Sequence, residues 1–417
     1  MTEHIQPREL PQITVHSDTR DQLAHAAAQA ARSKYADTFV CDIDAHHVEQ
    51  ASWDAIVRYI EDPVLRDHAM LYHSERGPIS APFGLNSTFG MRYQSAGGRI
   101  PHQQAQREKT PPDAHRDITL ARRSMDGMAL DYQILFPTAM LTLGLHPQPK
   151  MEEQLSSAYN AWLTQELIPT DRCLGTMVYV PFNTPEAACR TVAKYAGVKG
   201  VKGFCVTSVR DGSVHDNAHM RFYRMVEETG MPLAFHAAYH WNDTSLSTLP
   251  TFLGVHALGF TWCNIVHATN WVLQGIPERF PKLKPIWIES GLAWIPFLMQ
   301  RLDDQFLLRQ SEAPLLKRMP SEYLRDNCWY SSQPMERTNM RALNLTLDMI
   351  NAETQLLFAS DWPHFDFDTP STVFDLPFLS DQAKKNILGL NAAKLFGIEP
   401  KKRVVAARAA FPAQAGG

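Results

Sequence analysis

A short cluster of carboxylates and imidazoles near residue 45 has the residue types that bind a divalent metal ion. The sequence C-D-I-D-A-H-H-V-E spans residues 41–49 and follows the apolar pair Phe39 and Val40. In an extended strand, side chains alternate between faces, so Asp42, Asp44 and His46 are expected to point the same way. A carboxylate beside an imidazole suits zinc, manganese or iron. A polar run after a strand is more often a solvated loop, so a metal site requires matching residues elsewhere in the chain.

The elements that must position this cluster follow a regular pattern. Eight apolar runs predict strands, and most are followed by a helical pattern; they lie at 39–43, 132–137, 176–181, 202–206, 232–236, 284–289, 328–330 and 356–360. Strands that alternate with helices predict a parallel sheet buried on both faces, and eight such units close into a barrel. The predicted fold class is α/β, a (β/α)8 barrel, with an open doubly wound sheet as the competitor. No Gly-rich phosphate loop follows a strand, which argues against nucleotide binding.

The chain divides into a barrel domain with an insertion and two extensions. Residues 1–38 are a polar, Ala-rich extension with a predicted helix at 19–36, and residues 39–398 form the barrel. Glycine and proline punctuate residues 50–133, so we expect an irregular insertion after strand one that covers the site as a lid. Residues 399–417 carry K-K-R at 401–403 and continue Ala-rich, which predicts an arm or a disordered tail.

Polar residues recur where the predicted strands end. In a barrel the carboxyl ends of all strands meet at one face, where active sites lie. Strand one ends in Asp44 and His46, strand five in His236, strand six in Glu289 and strand eight in Asp361. Each has an ordinary alternative as a core histidine, a helix cap or a turn residue. A shared metal centre explains all four strand ends together, and Asp42 enters its strand too early to reach that centre.

Three further residues are candidates for supporting roles. Glu49 lies just beyond strand one, His240 follows strand five, and His267 lies in the helix before strand six. We expect His240 and His267 to orient substrate or relay protons. Whether Glu49 is a metal ligand is left open.

Composition excludes several classes of partner. The formal net charge is −4 and the pI is about 6.5, which gives no sign of the basic face that nucleic acid or an anionic membrane requires. No apolar run has membrane-spanning length and the N-terminus lacks the apolar core of a signal peptide, which predicts a cytoplasmic protein. The six cysteines form no C-x-x-C pair and are expected to be buried apolar residues.

Seven phrases in order resemble the amidohydrolase superfamily, in the branch of aminocarboxymuconate-semialdehyde decarboxylase and the resorcylate-type decarboxylases. They are D-I-D-A-H-H-V-E at 42–49, G-V-K-G-F at 200–204, M-P-L-A-F-H at 231–236, G-I-P-E-R-F-P-K-L-K at 275–284, I-E-S-G-L-A-W-I-P at 288–296, L-F-A-S-D-W-P-H at 357–364 and N-I-L-G-L-N-A-A-K-L-F-G at 386–397. The resemblance implies a TIM-type barrel. It also implies one divalent metal held by Asp44, His46, His236 and Asp361.

Two positions depart from the family pattern. Asp44 stands where the superfamily commonly has histidine, and Glu289 stands where a catalytic histidine is often found. The resulting site is richer in oxygen ligands and suits zinc, manganese or iron. Glu289 could be a fifth ligand. Either Glu289 or Glu49 could bridge a second metal ion, so the site could hold one ion or two.

The predicted function is metal-dependent hydrolysis or decarboxylation of a small organic acid or amide-like substrate. The metal would activate a bound water, and Asp361 would carry the proton, with Glu289 also a candidate for catalysis. One alternative is an oxygenase with a dinuclear iron or manganese centre. Another is a catalytically degraded subunit that scaffolds a paralogous one. The resemblance further implies a homo-oligomer, with a paralogous partner subunit also considered.

Overall fold

Eight parallel strands form the centre of the molecule. The structure, a computed structural model, describes residues 17, 19–76, 110–210, 212–238 and 243–403. In chain order, each strand pairs in parallel with the next. The strands are β1 (Cys41–His47), β2 (Tyr132–Pro137), β3 (Leu174–Tyr179), β4 (Val201–Thr207), β5 (Leu233–His236), β6 (Pro285–Ile288), β7 (Trp329–Ser331) and β8 (Leu356–Leu357).

The segment after β8 closes the sheet into a barrel. The backbone N–H of Ile43 donates to the Phe358 carbonyl at 3.0 Å, and the N–H of Asp361 donates to the Asp44 carbonyl at 2.7 Å. A parallel bridge joins Ala45 to Trp362. The predicted (β/α)8 barrel is therefore confirmed, and the open doubly wound sheet is excluded.

The inside of the barrel is filled by residues from nearly every strand. Branched, aromatic and sulfur-containing side chains form one buried cluster there, as expected when alternate residues of each strand point inward. Its members on the strands are Cys41, Ile43, Tyr132, Ile134, Phe136, Met177, Cys205, Ala234, Ile286, Ile288 and Leu357. The same cluster includes Ala392 and Phe396 near the C-terminal end of the domain. This interior is a packed core, so the site must lie at its rim.

Helices surround the strands and bury their apolar faces against them. Those preceding β5 are α1 (Thr19–Arg32), α2 (Trp53–Val57), α3 (Pro63–Arg76), α4 (Arg116–Met128), α5 (Pro149–Trp162), α6 (Pro185–Tyr195) and α7 (Met220–Thr229). Those that follow are α8 (Phe252–Leu273), α9 (Ile276–Arg279), α10 (Trp294–Leu308), α11 (Pro320–Asp326), α12 (Met340–Met349), α13 (Ala352–Gln355), α14 (Ser371–Phe374), α15 (Asp381–Lys385) and α16 (Asn391–Phe396). A 3₁₀ helix, Ala139–Leu145, follows β2.

The expectation that residues 50–133 are irregular throughout is wrong, because both ends of this segment are helical. Helices α2 and α3 follow β1, and α4 precedes β2. Their apolar residues recur at helical spacing and are buried, as with Ile56 in α2 and with Ile118 and Met125 in α4. The glycines and prolines are concentrated between these helices, and residues 77–109 lie outside the described residues. The predicted lid stays a prediction.

Basic residues of the tail pair with two acidic residues that precede β2. Lys402 Nζ donates to Asp131 Oδ2 at 2.7 Å, and the Arg403 backbone N–H donates to Asp131 Oδ1 at 2.8 Å. The Arg403 side chain also pairs with Asp126. The start of the predicted arm is thus an ordered clasp; residues 404–417 lie outside the described residues.

In the part of the chain that the structure describes, no helix is both long and apolar enough to cross a membrane.

Candidate metal centre

A break in the regular register of β1 turns Asp44 and His46 toward the centre of the barrel rim. The pairing of β1 with β2 shifts between Asp42 and Ala45. Cys41 and Ile43 pack inside the barrel, whereas Ala45 packs in the outer cluster. The bulge therefore resets the alternation of side chains. We expected Asp42 to share a face with Asp44 and His46. This expectation is wrong, because the bulge lies between them.

Asp42 has a structural role at the seam of the barrel. Its carboxylate accepts hydrogen bonds from the Ser360 backbone N–H at 2.8 Å, the Ser360 hydroxyl at 2.6 Å and the Gln133 side-chain amide at 3.0 Å. It also accepts the Asp44 backbone N–H at 3.2 Å. Burial raises the pKa of Asp42 to about 7, against these hydrogen bonds. The residue ties the segment after β8 and strand β2 to β1 beside the bulge.

Two carboxylates reach the rim from strained backbone positions. Glu289, directly after β6, has φ of 57°, and Asp361, in the segment after β8, has φ of 59°. Side chains other than glycine rarely adopt the left-handed region, and such residues are concentrated at functional sites. The unusual backbone is fixed by neighbouring contacts, because the Glu289 N–H donates to the Ser331 hydroxyl at 3.0 Å.

Four side chains from three strand ends meet at one point. His236 Nε2 lies 3.1 Å from Asp44 Oδ1. His46 Nε2 lies 3.4 Å from Asp44 Oδ1 and 3.3 Å from Asp361 Oδ1. All four are almost completely buried. The structure therefore brings together the four residues that the sequence placed on β1, β5 and β8.

Both histidines present an unprotonated Nε2 to this point when they are neutral. His46 Nδ1 lies 2.8 Å from the Pro137 carbonyl, and His236 Nδ1 lies 2.8 Å from the Ala237 carbonyl. A carbonyl only accepts, so Nδ1 carries the hydrogen and Nε2 keeps its lone pair. Metal-binding histidines are usually held in this way by a second hydrogen bond.

The donor set fits a divalent cation. Asp44 Oδ2 and His46 Nε2 are buried and have no hydrogen-bond partner among the described residues, and buried polar atoms in this state are rare. One atom each of Asp44, His46 and His236 lies within 4.8 Å of the others, and the same holds for His46, Asp361 and His364. Two carboxylates with two imidazole nitrogens suit manganese, zinc or iron.

The electrostatics of the pocket favour a positive charge at its centre. Burial opposes ionisation, yet the His236 and His46 side chains hold the pKa of Asp44 well below its usual range. Burial likewise opposes a charge on His46, but Asp361 and Asp44 raise its pKa to about 10. Carboxylates that stabilise a proton on His46 would stabilise a metal cation in the same way.

Glu289 and His364 border this centre. Glu289 Oε2 is 3.5 Å from His236 Nδ1, and Glu289 Oε1 is 3.9 Å from His364 Nδ1. Burial, followed by the nearby Asp361 and Asp44 carboxylates, raises the pKa of Glu289 well above its usual value. His364 Nδ1 is 2.6 Å from Asp361 Oδ1. From the sequence, His364 had no assigned role, although its spacing of three residues from Asp361 was an available signal.

Gln333 is a further residue of the site that the sequence did not indicate. Its side-chain amide donates to Asp361 Oδ2 at 3.1 Å and to Asp366 Oδ2 at 3.3 Å. It follows β7, a strand to which the sequence assigned no polar end. Glutamine is not a residue type that indicates metal binding or acid–base catalysis, so the sequence offered no signal for it.

The remaining candidates lie apart from the centre or outside the described residues. Both oxygens of Glu49 accept backbone N–H groups, from Thr138 at 2.9 Å and Met140 at 2.7 Å, at the start of the 3₁₀ helix after β2. His267 on α8 bonds through Nε2 to the Ser208 carbonyl at 2.8 Å. The structure thus gives both a local structural partner. His240 lies outside the described residues.

Comparison with known proteins identifies the family. The model of the amidohydrolase family matches residues 101–398. The chain belongs to the amidohydrolase family. The match begins after β1 and therefore does not include Asp44 and His46. Like the relatives it matches, this amidohydrolase is an enzyme.

Two curated relatives of this amidohydrolase are decarboxylases. The gamma-resorcylate decarboxylase of Polaromonas sp. strain JS666 is 25% identical over 288 residues, which are 66% of this chain and 85% of the relative. The gamma-resorcylate decarboxylase of Rhodococcus jostii strain RHA1 is 25% identical over 237 residues, 53% of this chain and 69% of the relative.

Solved structures share the fold of this amidohydrolase. The 5-carboxyvanillate decarboxylase of Sphingomonas paucimobilis has a TM-score of 0.61 and 19% identity, and the alignment covers 87% of this chain and all of that one. A dihydroxybenzoic acid decarboxylase from Polaromonas sp. JS666, solved with manganese and 2-nitroresorcinol, has a TM-score of 0.60 and 17% identity, over 87% of this chain and 97% of that one. At these identities the likeness supports the barrel fold alone.

Proposed function

We propose that this amidohydrolase is a decarboxylase of a small aromatic acid and depends on a divalent cation. The observation that carries the proposal is the meeting of the Nε2 atoms of His46 and His236 with the carboxylates of Asp44 and Asp361. The two curated relatives, both gamma-resorcylate decarboxylases, supply the reaction class. Manganese is the proposed ion, since a solved decarboxylase with this fold contains it.

Asp44, His46, His236 and Asp361 would hold the cation. Bound there, it would polarise the oxygens of a substrate and stabilise the negative charge that develops during the reaction. The Nδ1 hydrogen bonds of both histidines to backbone carbonyls keep their rings oriented toward the centre. Burial of the four side chains excludes water and strengthens their interaction with a charged substrate.

Asp361 is proposed to carry the proton. Decarboxylation of an aromatic acid breaks the ring-carbon to carboxylate bond, and the ring carbon takes up a proton as CO₂ leaves. Burial raises the pKa of Asp361 to about 6, against the influence of His46. A carboxyl group placed beside the substrate can give and take up a proton as a general acid and base.

The test is an assay of CO₂ release. The purified protein, loaded with Mn²⁺, is incubated with a panel of hydroxybenzoic acids that includes gamma-resorcylate and 5-carboxyvanillate. We expect release of CO₂ with at least one of them, and loss of the reaction after chelation. Consumption of dioxygen by a centre that holds two iron or manganese ions would overturn the proposal in favour of the oxygenase. Hydrolysis of an ester or amide without CO₂ release would overturn it in favour of a hydrolase.

We also propose that the protein self-associates through α8. Its 22 residues, Phe252–Leu273, include no Asp, Glu, Lys or Arg. Leu258, Trp262 and Val266 recur every fourth residue and are exposed at 53%, 41% and 39%. A helix face without charge complements a second copy of itself better than a charged partner.

Size measurement in solution tests the assembly. We expect Trp262→Glu to shift the protein to a smaller species in light scattering, because a buried charge would oppose the interface. Leu345→Glu on α12, at a site exposed at 58%, is the matched control and should leave the size unchanged. A monomeric wild-type protein would contradict the proposal.

A further inference from the structure

Gln333 is a neutral residue among the ionisable groups of the metal centre. It lies two residues beyond the end of β7, and its side chain is completely buried. The Ser331 hydroxyl donates to the Gln333 backbone carbonyl at 3.1 Å and accepts the Glu289 N–H at 3.0 Å. These bonds tie Gln333 to the end of β6, so its amide lies at the rim where a barrel binds its substrate.

Two carboxylates determine how the Gln333 amide is turned. Its Nε2 donates to Asp361 Oδ2 at 3.1 Å and to Asp366 Oδ2 at 3.3 Å. The Asp366 backbone carbonyl is a third acceptor, at 3.4 Å. Because all three groups accept hydrogen bonds, only the NH₂ end of the amide can face them. The position of the other amide atom, Oε1, follows from this orientation.

The Oε1 atom of Gln333 is an acceptor that lacks a donor. It is buried, and no group in the part of the chain that the structure describes donates a hydrogen bond to it. Buried polar atoms seldom remain in this state. Oε1 is bonded to the same carbon atom as Nε2 and therefore lies close to Asp361. An ionised Asp361 or Asp366 cannot satisfy it, since a carboxylate only accepts. A donor that a ligand brings to the metal centre would satisfy it.

We propose that Gln333 Oε1 accepts a hydrogen bond from a ring hydroxyl of the substrate and thereby favours aromatic acids that carry this group. The proposal rests on the proposed function, because the same site would hold the ring. The four proposed metal ligands are committed to the cation, so a further hydroxyl needs another acceptor. An analogue without the hydroxyl leaves Oε1 buried and unsatisfied, and such sites discriminate strongly against analogues of this kind.

Binding of two nitro compounds tests the proposal without the need for turnover. 2-Nitroresorcinol, which is bound in the manganese-containing Polaromonas structure, and 2-nitrophenol differ by one ring hydroxyl, and neither can release CO₂. Titration calorimetry of the Mn²⁺-loaded protein gives both Kd values. We expect the wild type to bind 2-nitroresorcinol at least about tenfold more tightly, the contribution of one hydrogen bond to a buried acceptor. Gln333→Met, which keeps the length of the side chain but lacks the amide, should bind both with nearly equal affinity.

Gln355→Met is the matched control, because Gln355 is a buried glutamine at the opposite end of the barrel, just before β8. Its Nε2 donates to the backbone carbonyls of Asp326 and Cys328 at 3.2 Å and 2.8 Å. This variant should discriminate between the two compounds as the wild type does. Circular dichroism establishes that each variant is folded. A crystal structure of the wild type with 2-nitroresorcinol is independent of the variants, and we expect a hydroxyl oxygen within hydrogen-bond distance of Gln333 Oε1.

Three results would overturn the proposal. One is a wild type that does not bind 2-nitroresorcinol more tightly than 2-nitrophenol. Another is an equal loss of affinity for both compounds in Gln333→Met, which is expected if the amide only holds Asp361 in place. The third is a bound inhibitor whose hydroxyl groups both lie away from Oε1. If no hydroxybenzoic acid is decarboxylated, the proposed function fails, and the two affinities still decide whether Gln333 recognises a hydroxyl.

Discussion

At the scale of single residues, the direction of each imidazole decides what the site can bind. His46 and His236 each use Nδ1 for a backbone carbonyl, which leaves Nε2 for the centre. The sequence predicted that these residues and the carboxylates Asp44 and Asp361 share one site, and the structure brings them together. It could not predict which nitrogen faces inward, because that depends on carbonyls of residues distant in the chain.

Replacement of Asp361 by Asn tests its proposed role as proton carrier. The amide keeps the size of the side chain but does not exchange a proton at neutral pH, so we expect turnover to fall by about 10²- to 10⁴-fold. The rate of CO₂ release at saturating Mn²⁺ measures this. Asp366→Asn, which alters a carboxylate bound to the same Gln333 amide, is the control for a change in local charge. Wild-type turnover in the Asp361 variant would contradict the assignment.

At the scale of elements, short irregularities position the site on an otherwise regular barrel. The sequence predicted β2 (Tyr132–Pro137) with its observed bounds, because an apolar run that ends in a proline specifies them. It missed the bulge in β1, which depends on pairing with the neighbouring strands. The sequence analysis also missed the helices at the two ends of segment 50–133, since glycine and proline dominate its middle.

Asp42 is expected to stabilise the bulge and thereby the metal centre. Asp42→Ala would leave the Ser360 and Gln133 donors buried without an acceptor, which should lower the free energy of unfolding by about 3 kcal/mol. We also expect weaker Mn²⁺ binding, since Asp44 and Asp361 are joined at the same seam. Chemical denaturation and dialysis measure the two effects. Unchanged stability would show that the hydrogen bonds to Asp42 are dispensable.

At the scale of the whole molecule, the tail clasp joins the end of the domain to its beginning. Asp131 is 4% exposed and accepts the Val40 N–H at 2.9 Å in addition to the groups of Lys402 and Arg403. The sequence left the tail open between an arm and disorder. Its composition did not reveal the clasp, because the partner carboxylate lies more than 270 residues away in the chain.

Removal of the clasp is expected to destabilise the barrel. Lys402→Ala leaves the buried Asp131 carboxylate without its side-chain cation, so the free energy of unfolding should fall by about 1–3 kcal/mol. Lys401→Ala is the matched control, because Lys401 pairs with Glu399 on the exposed surface and such pairs contribute about 0–1 kcal/mol. Equal effects of the two substitutions in chemical denaturation would contradict this account.

Two buried histidines predict a loss of stability in mild acid. Burial, together with Arg210, lowers the pKa of His219 to about 4, and burial lowers the pKa of His267 to about 4. The unfolded chain binds these protons near pH 6.5, so stability is complete above that pH and is lost as the pH falls toward 4. For His267 the effect is at most about 3 kcal/mol.

Denaturation at several pH values measures this effect. We expect the stability difference between the wild type and His267→Gln to shift in favour of the variant as the pH falls from 6.5 to 4.5. The variant lacks the titrating ring and keeps a donor for the Ser208 carbonyl. A difference that stays constant with pH would show that His267 does not titrate in this range.

Asp44, His46, His236 and Asp361 are proposed to bind a divalent cation. The most direct measurement is an anomalous difference map at the manganese absorption edge, from crystals of the protein grown with Mn²⁺ and no chelator. We expect a peak within bonding distance of the Nε2 atoms of His46 and His236 and of a carboxylate oxygen from each aspartate. A map without a peak among these four side chains, from protein that binds Mn²⁺ in solution, would contradict it.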